Sequence, residues 1–494
     1  MSSVDSSALQ HRARVGPSRL AGKGVLANED IDEGEHIARI ERPLLAVLDT
    51  KNLPLCCEDC LRTEPGKPPV SILRYCVGCR SVKFCSKRCQ TRSWKRSHRY
   101  ECRLYKDAAP NLPGSVVRAT AQLLILKRHG LITPAMSAEL DRLRSSTVPM
   151  HPDDLDSVEI TQKFLRGDPK CSGTIWVEIV HIMGLLKINC FTLVHEWSDP
   201  LGVALDPFIS TVNHSCRPNA VVVFNGASPS LRSIRPIAKD EEVTWSYVDV
   251  VDPRHRRRAR LRRGYEFDCT CPKCTSNDVD DAKPESELEQ RLWKAMAFAN
   301  KEQDSVKAKS LLKAIIRTAQ ENKYPTTRAP IPEAYQALLV ECNATEEWRS
   351  SFIIAIKQYF FIDPKLYPQE FYITRVVHTW SLVNVMQVFG NRYMEANDAG
   401  GWEREWGIDD IAAPLHRILK ALRVNVVKCY GPGQVVDLIN EAAERFDTSL
   451  EVLPAYARNF VTKDLSDIWS QLERLRHNKV DMSDAAPELV LGPS

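Results

Sequence analysis

In the stretch STVNHSCRPNA, residues 210–220, an imidazole at His214 stands two residues before a thiol at Cys216, with Asn213 on one side and Pro218 on the other. Such residues serve three chemistries: a thiol nucleophile with its base, a metal site, or a purely structural pair. A nucleophilic cysteine and its histidine meet in space rather than in sequence, so adjacency is weak evidence for a thiol enzyme. The remaining cysteines have to decide.

The chain has 494 residues and 16 cysteines. Eleven of these are Cys216 and the members of two tight groups; Cys56, Cys171, Cys190, Cys342 and Cys429 remain and read as small buried side chains. The first group runs Cys57-x2-Cys60, Cys76-x2-Cys79, Cys85-x3-Cys89 and His98-x3-Cys102. Each pair can reach one ion, and eight donors complete two tetrahedral zinc sites. Cys56 competes with Cys57 for the register, and Cys57 is preferred for its regular two-residue spacing to Cys60. Sites closed by four protein ligands hold no water or substrate, so they are structural. Spacing leaves open which pairs share an ion. Lys83, Lys87, Arg88, Arg92, Lys95, Arg96 and Arg99 make the segment basic, a surface for nucleic-acid phosphates or acidic partners, or a solvated face.

The second group, YEFDCTCPKC, supplies Cys269, Cys271 and Cys274, one donor short of a tetrahedron. Cys216 is the natural fourth. A metal-bound thiolate has its lone pairs committed and is a poor nucleophile, which argues against a thiol enzyme.

The elements that carry these residues change character along the chain. Residues 15–50 read as short strands, and NAVVVFNG and DEEVTWSYV as further strands rich in β-branched and aromatic side chains. Residues 103–195 read as mainly helical, with SVVRATAQLLILKRHG stopping at Gly130. From about residue 284 the period is helical; Ile411, Leu415, Ile418, Leu422 and Val426 share one stripe before Gly431-Pro432. Successive amphipathic helices predict a TPR-like rear half, with a plain bundle as the alternative. Residues 1–275 carry a net charge of +10 and residues 276–494 of −6. An acidic rear half closing over the front would favour lysine- and arginine-rich peptides. No run of 18 apolar residues occurs, and residues 1–20 have no apolar core, so the chain is expected to be soluble and intracellular, with reduced thiols. PRHRRRARLRRGYEF has seven arginines. It reads as a connecting helix with Ala259 and Leu261 inward, or as a nuclear-import or nucleic-acid segment.

GKG at 22–24, NHSCRPN at 213–219, DEEVTWSYVD at 240–249 and YEFDCTCPKC at 265–274 occur in the order of a SET domain with its post-SET segment. CEDC, YCVGCRSVKFCSKRCQTRSWKRSH and YEC resemble a MYND zinc finger inserted between the first two of these. The whole resembles the SET and MYND domain (SMYD) family of protein-lysine methyltransferases over about residues 12–275. The resemblance implies an α+β fold: a SET domain of short β-sheets with the inserted finger and a post-SET zinc segment, then an all-α TPR-like domain. Its parts would be an N-terminal tail (1–11), SET N-terminal part (12–55), finger (56–102), helical insert (103–195), SET core (196–252), post-SET (253–280), helical domain (281–478) and C-terminal tail (479–494).

The family's cross-braced finger implies Cys57, Cys60, Cys85 and Cys89 on one zinc and Cys76, Cys79, His98 and Cys102 on another. Cys216, Cys269, Cys271 and Cys274 would hold a third. The resemblance further implies S-adenosylmethionine as cofactor. Asn213 and His214 would hold its adenine and amino-acid parts, and Gly22, Lys23 and Gly24 would approach the methionine moiety. Asn189, Phe191 and Ser210 would add contacts, Phe267 would pack on the adenine, Tyr247 would stand at methyl transfer, and Tyr265 would wall the lysine channel. Expected partners are a lysine-containing substrate such as a histone tail, proline-containing peptides at the finger and weak DNA contact, for a monomer of nucleus and cytoplasm without membrane association. The competing function is an adaptor with an inactive SET domain.

Overall fold

A computed structural model describes residues 11–63, 72–146, 152–195, 197–395 and 412–451, with Arg474 and Val480. The N-terminal tail apart from His11, the C-terminal tail apart from Val480, and Ile411 of the apolar stripe lie outside the described residues. The chain divides into two compact units, residues 1–248 with 258–274, and residues 249–257 with 275–494.

Twelve short strands of the first unit, among the described residues, form four small sheets. Strands β1 (Ala13–Pro17), β2 (Lys23–Ala27), β12 (Glu242–Trp245) and β9 (Asn213–His214) make one sheet, in that order. β1 and β2 pair antiparallel across the tight loop that holds Gly22, whereas β12 pairs parallel with β9, setting Thr244 opposite Asn213 and Trp245 opposite His214. That one parallel pairing brings two distant motifs side by side. Strands β10 (Ala220–Asn225), β11 (Ser228–Ser233) and β3 (His36–Arg39) form a second sheet. A third contains β4 (Leu45–Leu48), β8 (Pro200–Leu205) and β7 (Phe191–Val194). The hairpin β5 (Arg74–Tyr75) with β6 (Lys83–Phe84) belongs to the cysteine-rich finger.

Helices α1 (Lys87–Ser93) and α2 (Arg99–Ala108) complete the finger, followed by α3 (Ser115–Arg128), α4 (Pro134–Leu140), α5 (Pro152–Leu165) and α6 (Trp176–Asn189). α3 is buried without a break from Val117 to Leu126, as a central helix must be, with the buried Arg118, Thr120 and Gln122 hydrogen-bonded inside the fold. It stops as expected, Gly130 taking the left-handed conformation at φ 65°. The one-turn helix α7 (Pro207–Ser210) is capped by Asp206, whose carboxylate accepts from Phe208 N (3.1 Å) and Ile209 N (3.2 Å). It delivers the chain into β9.

Helix α8 (Arg254–Tyr265) holds the arginine run. Leu261 is buried as expected, but Ala259 is exposed and Arg257 is the side chain turned inward. Arg257 can be buried because its guanidinium meets Asp281 bidentately (2.6 and 2.8 Å) and the Asp252 carbonyl (2.5 Å). Arg254 also pairs with Asp281, Arg256 with Glu285, and Arg258 and Arg262 with Asp268. Much of the run is thus spent on internal ion pairs.

The second unit is helical. Glu287–Ala299, Ser305–Glu321, Ile331–Ala344, Trp348–Lys357, Ile373–Glu395, Ala412–Tyr430 and Gln434–Glu451 each pack on the next helix of this series. Leu415, Ile418, Leu422 and Val426 are buried along one stripe. Among the described residues no helix is long and apolar enough to cross a membrane.

Candidate active site and zinc centres

Three clusters of four metal-binding side chains form among the described residues: Cys57, Cys60, Cys85, Cys89; Cys76, Cys79, His98, Cys102; and Cys216, Cys269, Cys271, Cys274. Within each cluster the donor atoms all lie within 4.8 Å of one another. Four sulfurs about 2.3 Å from a zinc ion stand about 3.8 Å apart. The separations match: Cys60–Cys85 3.5 Å, Cys85–Cys89 3.6 Å, Cys76–Cys102 3.8 Å, Cys216–Cys274 3.5 Å and Cys216–Cys269 4.0 Å. They are far too long for disulfides. The donor sets therefore fit three closed, structural zinc ions. Cys56, the register competitor, lies outside all three clusters.

Local structure aims the finger's thiols. Ser86 caps α1 by accepting from Cys89 N (3.2 Å), which fixes the first turn that carries Cys89. Buried Asp59 gathers Arg92 (2.6 and 2.9 Å) and Arg96 (3.1 Å), while Lys83 and Arg99 lie over the rings of Tyr75 and Tyr100. Four of the seven basic side chains of the segment are engaged within the fold.

The third centre anchors the chemistry-bearing residues. Tyr247, Tyr265 and Phe267 pack on the buried cluster of Cys216, Leu261, Cys269, Cys271 and Cys274. His214 links metal ligand to strand: its Nδ1 accepts from Tyr247 N (3.0 Å), so Nε2 carries the proton and donates toward Cys216 Sγ (3.2 Å). Both ring nitrogens of His214 thus serve the protein, which leaves its backbone rather than its ring for a cofactor. Ring centroids lie 5.2 Å apart for His214–Tyr247, 4.7 Å for Tyr247–Tyr265 and 5.9 Å for His214–Phe267. The Tyr247 hydroxyl donates to the Val212 carbonyl (2.7 Å), and the Tyr265 hydroxyl approaches the Tyr247 carbonyl (3.5 Å). Burial pushes both phenols above their ordinary range, so they are neutral donors at working pH and not bases.

Asn213 ties the glycine loop to the same place. Its Nδ2 donates to Lys23 O (2.8 Å), to Glu242 Oε1 (2.7 Å) and toward Ser18 Oγ (3.1 Å). Lys23 itself is exposed, and only its carbonyl takes part in this clasp. The two glycines act differently. Gly22 has φ 61° with open space beyond, whereas a Cβ on Gly24 would strike Glu242 Oε1 at 2.3 Å and Asn213 Nδ2 at 2.8 Å. Ser210 donates to the Asn189 carbonyl (2.8 Å), and Asn189 Nδ2 to the carbonyls of Arg144 and Leu185 (both 2.7 Å). Phe191 is buried, edge-on to Trp245 at 6.0 Å, and Trp245 stands edge-on to Tyr247 at 5.8 Å. A cavity of about 390 Å³ opens beside Tyr265, with Val180, Met183, Cys190 and Val203 among its walls.

Sequence reasoning passed over Ser18, Glu242, Asn219 and Glu266. Asn219 clamps β12 through Thr244 N (2.7 Å) and the Glu242 carbonyl (2.9 Å). Its place in NHSCRPN was the available signal; Ser18 had none.

A family model described as SET domain matches residues 22–248. Human histone-lysine N-methyltransferase SMYD3 is 28% identical, over 65% of this chain and 74% of its own. The SET domain and MYND-type zinc finger protein 6 of Schizosaccharomyces pombe is 30% identical over 53% and 52% respectively, and human N-lysine methyltransferase SMYD2 30% over 46% and 52%.

Proposed function

The chain belongs to the SET and MYND domain family of protein-lysine methyltransferases, and we propose that it methylates lysines in basic protein segments, histone tails among them, with S-adenosylmethionine as donor. The observation that carries this reading is the packing of Tyr247 and Phe267 on His214, with Tyr265 against Tyr247, beside the Asn213–Lys23 clasp.

The residues present fit the cofactor. An open backbone turn at Gly22 suits its amino-acid end, and the half-exposed ring of Phe267 suits an adenine face. When bound, S-adenosylmethionine supplies a methyl group on a sulfonium sulfur, ready for in-line displacement. What remains for the protein is alignment and exclusion of water. Tyr247, with its hydroxyl pinned to Val212 O, places that oxygen and neighbouring carbonyls where polarised methyl hydrogens can be attracted. The neutral phenols take no proton, so the lysine reacts as an amine already deprotonated in water. The cavity beside Tyr265 gives apolar walls to the peptide around the target lysine.

A net charge of −6 over residues 276–494 supports the choice of basic substrates. We read the finger as a docking module for proline-containing peptides, supported by exposed Tyr75, Val77 and Trp94. DNA contact there is weak at most, given how many basic side chains are engaged. Cysteines gathered into metal-binding sets suit a reducing compartment, which supports our reading of a protein of nucleus and cytoplasm. The organised cofactor side of the site disfavours an inactive adaptor.

The test is methylation of basic and neutral lysine peptides at rising salt by zinc-loaded protein. Basic peptides should react faster, with an advantage that shrinks as salt rises; equal, salt-insensitive rates would remove the substrate reading.

A further inference from the structure

Helix α8 ends at Tyr265, and the next residue reverses the chain: Glu266 has φ 60° and its N–H bonds the Arg262 carbonyl (3.2 Å). Glycine fills this left-handed position at least cost. A glutamate there needs a reason, and its side chain supplies one, being only 5% exposed. The Ser146 hydroxyl donates to its Oε1, with Lys187 Nζ 3.5 Å from the same oxygen and Arg144 Nη2 3.5 Å from Oε2.

Those partners are themselves fixed. Residues 144–146 lie along α6 through Asn189 Nδ2 to the Arg144 carbonyl (2.7 Å), Ser145 Oγ to the His181 carbonyl (3.3 Å) and Ser146 N to the Gly184 carbonyl (3.1 Å). Lys187 is part of α6. A buried carboxylate therefore fastens the short segment between the third zinc centre and α8 to the helix that walls the cavity. Its immediate neighbours are Tyr265 and Phe267.

We propose that Glu266 is a positioning residue, a latch that holds Tyr265 at the lysine approach and Phe267 at the adenine face by binding Ser146 and α6. Its kinetic consequence rests on the methyltransferase reading, whereas its geometry does not. The two cations are distant and half exposed, so the hydroxyl hydrogen bond and the fit of the side chain dominate. The segment is thus tied at one end by Glu266 and at the other by Cys269.

Glu266→Gly makes the sharp variant, because glycine relaxes the backbone while the latch is lost. It should keep three zinc ions and an undiminished melting temperature. Amide exchange at residues 265–268 and the dissociation constant of S-adenosylmethionine should each rise at least tenfold, with kcat at saturation falling less than threefold. Glu266→Gln, whose amide oxygen still accepts from Ser146, should return affinity to within threefold of wild type. Because glycine alone loosens a backbone, Ser146→Ala with Lys187→Met must reproduce the faster exchange without touching residues 265–268. Wild-type exchange in that double variant, or wild-type affinity in Glu266→Gly, would overturn the latch. Failure of the wild type itself to bind S-adenosylmethionine would defeat the methyltransferase reading, and the exchange measurements would still decide the latch.

Discussion

Gly22 and Gly24 stand two residues apart in one loop, yet an alanine at each should fail for opposite reasons. At Gly24 the added Cβ would lie 2.3 Å from Glu242 Oε1, 2.8 Å from Asn213 Nδ2 and 3.0 Å from Ser18 Cβ. The first two are tips of flexible side chains, but they cannot swing away freely. Glu242 Oε1 accepts from Ser18 and Asn213 (both 2.7 Å), and Asn213 also holds Lys23 O (2.8 Å). Relief of the clash breaks two or three of these bonds at about 1 kcal/mol each. With overpacking of about 1–3 kcal/mol, Gly24→Ala should cost about 3–6 kcal/mol in all. Because the displaced side chain is Asn213, affinity for S-adenosylmethionine should fall at least tenfold. At Gly22 a Cβ meets open space, and the cost is only the left-handed backbone at φ 61°, about 1–2 kcal/mol. Calorimetric titration with S-adenosylmethionine and thermal melting of both variants, at equal zinc content, provide the assay. Equal behaviour of Gly24→Ala and wild type would refute the clasp.

Two further outcomes follow from the same geometry. Cys216→Ser should lower zinc from three to two ions per chain and abolish cofactor binding, measured by metal analysis and titration; full loss of binding with three zinc ions retained would contradict the anchoring role of the third centre. Burial pushes Asp206 up to about 6, so the native state binds its proton more tightly than the unfolded chain. Its stabilising contribution is full below about pH 4 and lost as pH rises through 6, of order 3 kcal/mol. Asp206→Asn, which keeps an accepting cap, should flatten that part of the stability-against-pH curve, and an unchanged slope would rule the carboxyl out.

The metal ligands were legible because thiol spacing within a segment marks the donors, the resemblance to a cross-braced finger implied which pairs share an ion, and Cys216 followed from counting to four. Alternation and helical stripes gave the strands around Ile37 and Val222 and the burial of Leu415 to Val426. What stayed hidden depends on contacts between distant segments. The resemblance implied that Asn213 and His214 hold the cofactor without saying which atoms do so; the proximity of Cys216 and the Tyr247 amide engages both ring nitrogens of His214 within the protein. Ala259 was expected inside α8, but the bidentate partner at Asp281 makes burial of Arg257 affordable. Ser18, Asn219, Glu242 and Glu266 are ordinary polar residues in one dimension, and only the fold makes them clasps. The different duties of Gly22 and Gly24 likewise require the positions of Asn213 and Glu242.

The most direct measurement is transfer of labelled methyl from S-adenosylmethionine to a lysine peptide by wild type and Tyr247→Phe, with cofactor affinity measured on both. Loss of one hydroxyl that acts on the reacting group should lower kcat by about 10²–10³-fold, while the dissociation constant stays within threefold. Equal turnover in the two proteins, or a wild type that binds the cofactor and transfers nothing, would contradict the assignment of Tyr247 to the methyl-transfer point.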